Sequence, residues 1–446
     1  MSARRRRLAG VITLVVLTAC TVGGSGGGHR NAPNASSGGS TGGYAVAIPH
    51  VTPGGAPTLR AAIAKLCVAP PPTHGKPATG ALPPDLVSIA QSVEQARGHR
   101  YAHYPPATEV SNSQMDRRLL KNFRQTTSRR ADDRRTVAWR TIGVIGRGDD
   151  LYRAYRAFTT GQVVGYYDPE TGDLVYLGSG TLDFSERFTL AHELTHALDD
   201  QTFDLTRLDP LAAHCQDERA QAALGLVEGS AQYFAAVAIA QNPSIDLGDL
   251  LKEIAQSASG ATPPPGVPQF VFDQQLWPYS TGETFVASLV GSGGTAAVDH
   301  AFERFPVSTE QVIDPATYPA DTPVAVSIPD LTGALGARWG DLDAMTIGEE
   351  WLRGMLALRQ GVSPDVATGW QGGGYRAWTD GHDVVVVLRT RWDEPDRASA
   401  FAAALQDWAA GRDPAPAITR SGREVTAVFA TTPSLVATAG TALTQG

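Results

Sequence analysis

Two histidines four positions apart enclose a glutamate in the run His192-Glu193-Leu194-Thr195-His196. On a helix, positions i and i+4 lie on one face. Both imidazoles can therefore hold one metal ion, and Glu193 between them can reach a water on that ion. Zinc suits this donor set. It lowers the pKa of its water toward neutrality, and the glutamate takes the proton as general base. A catalytic zinc site also needs a third protein ligand and one open position. His214, Asp217, Glu218, Glu228 and Glu283 are the downstream candidates. Glu228 is preferred because it lies in an almost wholly apolar helical stretch, Gln221 to Ala236, where a lone carboxylate is costly to bury unless it is paired or metal-bound. Hydrolysis also develops an oxyanion, which calls for a further donor. Tyr279, Tyr233, Tyr167 and His214 are candidates; Tyr279, just ahead of a helical segment, comes first.

These residues need elements to position them. Helices are predicted over 184–200 and 216–241, and a β-hairpin over Gln162 to Leu177 turns at Asp168-Pro169-Glu170-Thr171-Gly172. A Pro/Gly-rich loop is expected over 258–270, then helices over 281–291 and 295–304. Residues 86–160 read as helices, with Arg117 to Arg140 as a solvated charged face. Toward the C-terminus, helices over 345–360 and 396–411 bracket a hairpin (Tyr375 to Trp378, Asp383 to Arg391), and Val425 to Ala430 is a candidate third strand. The expected fold class is α+β: a body over 44–343 whose hairpin, HExxH helix and Glu-bearing helix together resemble the zincin arrangement, then a C-terminal α+β segment over 344–446. Residues 44–85, rich in Pro and Gly with one helical piece at Leu59 to Leu66, read as an arm lying on the main body.

Composition narrows the function. The 446 residues are 42% hydrophobic and 18% charged, a globular profile. A net charge of −8 argues against nucleic acid as a partner. Three cysteines exclude a disulfide-dense scaffold or a cysteine-rich metal cluster. No uninterrupted apolar run is long enough for a polytopic membrane protein.

The N-terminus reads as an address. Arg4 to Arg7 precede a twelve-residue apolar stretch, Leu8 to Ala19, too short to span a bilayer and right for a signal peptide. It ends in Leu17-Thr18-Ala19-Cys20, which resembles the lipobox of bacterial lipoproteins. That likeness implies cleavage after residue 19, lipidation of Cys20 and anchoring on the extracytoplasmic side of the cell membrane. Residues 20–43 are a Gly/Ser-rich tether. Two cysteines then remain, Cys67 and Cys215. Outside the cytoplasm they are expected to pair; two buried thiols are the alternative.

With these residues in view, the chain resembles the gluzincin clan of zinc metallopeptidases, which carry HExxH on one helix and a glutamate on the next. HELTHA (192–197) is similar to the same stretch of thermolysin-like enzymes. Gly165 to Gly172, HELTHALDDQTFDL (192–205), VEGSA (227–231) and Phe305 to Val312 resemble a family of poorly characterised bacterial metallopeptidase lipoproteins; with Tyr375 to Trp392 the likeness covers roughly residues 110–400. It implies one Zn²⁺ on His192, His196 and Glu228, Glu193 as base, and a peptide or protein substrate. Thermolysin-like enzymes place an aspartate one turn after the glutamate ligand, bonded to a zinc histidine; Gln232 stands there here, and Asp199 or Asp200 is the expected substitute. Two other readings stay open: a zinc-stabilised, non-catalytic envelope lipoprotein that binds a partner, and a hydrolase of peptidoglycan or small amides. Phe305-Pro306 followed by Ser308-Thr309-Glu310-Gln311 reads as a helix N-cap.

Overall fold

The computed structural model describes residues 48–49, 51–69, 77–160, 163–178, 180, 182–241 and 262–445. The expected signal peptide, Cys20 and the tether lie outside these residues.

The fold is α+β. In chain order the elements are α1 (Leu59–Leu66), α2 (Pro84–Arg97), β1 (Ala107–Val110), α3 (Asn112–Thr126), α4 (Arg129–Ile142), α5 (Leu151–Thr159), β2 (Gly165–Asp168), β3 (Asp173–Leu177), α6 (Phe184–Phe203), α7 (Asp209–Ala213) and α8 (Asp217–Gln241). They continue with α9 (Gln269–Glu303), α10 (Thr309–Ile313), α11 (Thr332–Leu335), β4 (Gly340–Thr346), α12 (Glu349–Ala357), β5 (Trp370–Thr379), β6 (Val384–Trp392), α13 (Pro395–Ala409), β7 (Ala417–Ser421), β8 (Glu424–Ala430) and α14 (Pro433–Gln445).

The predicted hairpin forms: β2 pairs antiparallel with β3, Gly165 opposite Tyr176 and Asp168 opposite Asp173. Its turn closes where Gly172 N–H donates to Asp168 O at 2.7 Å, and Gly172 takes φ of 69°, a left-handed conformation that glycine adopts without steric cost. β1 joins this sheet parallel to β3, inside the stretch expected to be helical throughout. A second, antiparallel sheet has the order β4-β5-β6-β8-β7. The junction expected at 343/344 falls inside β4, so this sheet begins a few residues earlier. Hydrophobic packing also runs across that junction. Trp139 of α4 stacks edge-on against Phe270 (5.2 Å) and Trp351 (6.2 Å), and its indole N–H donates to Tyr375 Oη on β5 at 3.1 Å.

Three further expectations change. The loop expected to reach 270 ends at Gln269, where α9 starts; the two helices expected after it are parts of α9 and meet where Gly293 and Gly294 leave helical geometry. The arm binds the C-terminal sheet: Ala56 N–H donates to Asp341 Oδ2 (2.8 Å) and Lys65 Nζ pairs with the same oxygen (3.1 Å), while a Cys67–Cys215 disulfide ties its end to the helical body. The Arg117 to Arg140 face is not solvated throughout. Arg134 is buried and donates to Leu66 O, and Arg135 pairs with Asp217 and Asp343. α8 is long and apolar enough to cross a membrane, yet 72% of its most apolar window is buried inside the fold, the environment of a core helix.

Candidate metal centre

The HExxH residues sit in the middle of α6. A capping box starts this helix: Asp183 accepts from Glu186 N–H and Glu186 accepts from Asp183 N–H, each at 2.8 Å. From Thr189 to Asp199 every residue is buried, so the histidines lie in the interior. α8 packs against α6 and brings Glu228 to them. Its approach to α9 is close enough to need glycine. A Cβ on Gly229 would fall 2.2 Å from the backbone of Gly282, and one on Gly282 would fall 2.0 Å from Gly225 O. This crossing places α9 beside the centre, where the Tyr279 ring stacks on His192 with centroids 5.9 Å apart.

Three ligand atoms converge. His196 Nε2 lies 3.0 Å from His192 Nε2, His192 Nε2 lies 3.2 Å from Glu228 Oε2, and His196 Nε2 lies 3.4 Å from the same oxygen. Ligands about 2.0–2.1 Å from a tetrahedral ion stand roughly 3.3 Å apart, so the triangle has the right size. Among the described residues these three form the one group of His, Cys, Asp or Glu side chains arranged to hold a metal ion. Their protonation fits too. Burial lowers the His192 pKa and keeps its imidazole neutral, with Glu228 opposing. Burial alone would raise Glu228, but His196 and His192 outweigh it and hold the carboxyl down at about 2. A neutral imidazole at His192 and an ionised carboxylate at Glu228 are forms that bind metal.

Glu193 is fully buried. Its Oε2 accepts the Tyr167 backbone N–H at 2.7 Å, so the β2 strand holds it, while Oε1 has no hydrogen-bond partner. Burial, aided by the Glu228 charge, pushes its pKa well above the usual carboxylate range. An orphaned, buried acceptor beside a three-ligand cluster fits a site completed by a cation and a water.

The other candidates separate. His214 is exposed, with Nδ1 2.6 Å from Pro210 O, and Asp217 pairs with Arg135. Glu218 accepts from Thr309 N–H at 2.6 Å, and Glu283 is partly buried and is not one of the three converging ligands. Tyr167 donates its hydroxyl to Asp200 (2.8 Å), and Tyr233 packs edge-on against Phe234. The expected N-cap is present: Ser308 accepts from Gln311 N–H at 3.3 Å.

Neither Asp199 nor Asp200 bonds a histidine of the cluster, and His196 Nδ1 is buried without a hydrogen-bond partner. Gln232 lies close enough to His192 to favour its protonated form, against the effect of burial. Asp199 has another part. Its Oδ1 accepts from Arg97 Nε (2.8 Å) and its Oδ2 from Ser230 Oγ (2.7 Å), joining α2, the HExxH helix and the Glu228 helix in one buried network. Arg97 was not legible as a site residue, because an arginine in a charged helix looks like any solvated one.

Residues 336–439 match the model of a domain of unknown function, DUF8575; the match runs from β4 into the first half of α14 and leaves His192, His196 and Glu228 outside. No curated protein and no solved structure matches the chain.

Proposed function

We propose that this protein is a zinc metallopeptidase, tethered to the extracytoplasmic face of the cell membrane through a lipid on Cys20. The observation that carries the reading is the buried triangle of His192 Nε2, His196 Nε2 and Glu228 Oε2 with Glu193 beside it. The chemistry an ion supplies there is a lowered pKa for coordinated water and polarisation of the substrate carbonyl. Glu193 does the proton work. Its Oε2 stays fixed by Tyr167 N–H, and its free Oε1 takes the proton of the attacking water and returns it to the leaving amine. Tyr279, seated on the His192 ring, is the donor toward the developing oxyanion. An intact base in the interior favours catalysis over a purely structural zinc site, which has no use for one.

The test combines elemental analysis of the purified full chain with a peptide-library digest of the wild type and Glu193→Gln. The reading expects about one zinc per chain in both proteins and cleavage in the wild type alone. Zinc absent even after reconstitution, or cleavage retained in the variant, refutes it. Zinc present with no peptide cleaved moves the assignment to amide substrates other than peptides or to the binding lipoprotein.

A further inference from the structure

The chain carries a net charge of −8, yet residues 112–156 hold twelve Lys or Arg against five Asp, a local excess of seven positive charges. This stretch forms α3, α4 and α5. α3 buries Met115, Leu119 and Phe123 and turns Arg117, Lys121 and Arg124 the opposite way, an exposed stripe at i, i+4 and i+7. α5 repeats the arrangement: Leu151, Ala154 and Phe158 are buried, and Arg153 and Arg156, at i and i+3, are exposed. The two helices cover one hydrophobic cluster, to which Met115, Leu119, Leu151, Ala154 and Phe158 all belong. They meet where the Phe123 and Tyr152 rings lie 4.9 Å apart, so their outward stripes run side by side. Arg129, at the start of α4, holds its guanidinium 4.9 Å from the Tyr152 ring at the same seam.

The acids do not neutralise this face. Of the five aspartates only Asp116 is exposed. Arg129 takes up Asp133 at 3.1 Å and Asp150 at 3.2 Å, and Asp149 accepts from Gly146 N–H at 2.6 Å. Burial raises Asp132 to about 7, so it carries only part of a charge at neutral pH. By contrast Arg117, Lys121, Arg124, Arg130, Arg147 and Arg156 are exposed and form no ion pair with any described residue. At about 0.1 M salt, charges beyond roughly 10 Å are screened. A surface approaching α3–α5 therefore meets the local excess and not the net −8. The complementary partner is a dense array of negative charge. With a lipid on Cys20, residue 48 can stand no further than about 100 Å from the bilayer, 28 residues at ~3.5 Å each. Lipid headgroups are thus the anionic surface within constant reach.

We propose that the α3–α5 face docks on the anionic headgroups of the membrane that carries the anchor, laying the body against the bilayer. The choice of a membrane rests on the reading of Cys20 as lipidated; the patch itself does not. Basic residues at an anionic surface add an electrostatic attachment to a lipid one, each strengthening it about fivefold. The full chain is placed in nanodiscs of phosphatidylcholine alone or with about 30% phosphatidylglycerol. Lys121, in the middle of the stripe, is acetylated with limiting reagent and quantified by peptide mass spectrometry. At about 0.1 M salt its labelling should be at least about threefold slower in the anionic discs, and the difference should vanish at about 1 M salt. Arg117→Glu, Arg124→Glu and Arg156→Glu together should abolish the protection, with the melting midpoint reporting that the variant is folded. Equal labelling in both discs, protection that survives high salt, or protection retained in the folded variant overturns the proposal. Protection by soluble polyphosphate but not by anionic discs assigns the face to a free polyanion and overturns it too. Intact mass reports lipidation of Cys20 separately. An unlipidated chain is incubated with an excess of the same discs, where protection of Lys121 still supports docking and its absence overturns it. Should the variant fail to fold, the disc and salt comparison on the natural chain decides alone.

Discussion

Substituting Asp199 by asparagine tests how the metal centre is held. In the native protein Asp199 and Arg97 are both fully buried and paired at 2.8 Å, and Ser230, two residues beyond Glu228, donates to the other carboxylate oxygen at 2.7 Å. The asparagine keeps the shape and removes the charge, leaving the Arg97 guanidinium buried with less to neutralise it. Breaking a buried ion pair from one side costs about 3–5 kcal/mol. Arg97 retains Asp299 at 2.7 Å and three aromatic rings between 4.9 and 5.6 Å, so the lower end, about 3 kcal/mol, is expected. At roughly 1 °C per kcal/mol for a chain of this size, the melting midpoint falls by about 3 °C. Because the network joins the helices carrying His196 and Glu228, zinc affinity should fall about 10- to 100-fold. Denaturant unfolding of the apo protein and competition with a chromophoric chelator measure the two effects separately. As a control, Ser230→Ala removes one bond to a carboxylate and leaves the ion pair, costing about 1.5–3 kcal/mol. An Asp199→Asn protein within about 1 kcal/mol of wild type, with unchanged zinc affinity, refutes the reasoning.

Gly229→Ala puts a methyl group 2.2 Å from the Gly282 backbone. It should cost at least about 1–3 kcal/mol and shift Tyr279 off His192, seen as lower thermal stability and altered tyrosine fluorescence on adding zinc. The Cys67–Cys215 disulfide spans 148 residues, so replacing both cysteines by serine should destabilise the chain by up to about 5 kcal/mol, read from denaturation midpoints; an unchanged midpoint would show the cross-link carries no load. Stability should also fall between about pH 4.5 and pH 8. Burial raises Glu218 to about 7, and burial with the neighbouring Glu349 raises Glu310 to about 8. The folded chain therefore holds more protons than the unfolded chain in that window, and unfolding free energy drops as pH rises through it. Denaturant titrations across that range should show the decline, and Glu218→Gln should flatten it.

Local patterns carried much of the candidate site. The i, i+4 histidines and Glu193 between them follow from helical spacing, and Glu228 stood out because a lone carboxylate in an apolar helix demands a partner. The hairpin was marked by its Asp-Pro-Glu-Thr-Gly turn, whose conformational preferences are set within five residues. The lone cysteine pair beyond Cys20 indicated the bond that joins the arm to the turn between α7 and α8.

What the sequence could not settle depends on residues far apart in the chain. β1 is four residues long and gains its strand character only from Leu174 to Leu177, paired some 67 residues later, so nothing local separates it from the helices around it. β4 and β7 are strands because β5 and β8 lie beside them. The arm docks on β4 through Asp341, 285 residues from Ala56. Asp199, one of the two aspartates expected to serve a histidine, instead bonds Arg97 and Ser230. Spacing along one helix selects which side chains share a face. Which partner a buried charge meets is decided by how three helices pack, because its hydrogen bonds must be made with whatever that packing brings within reach.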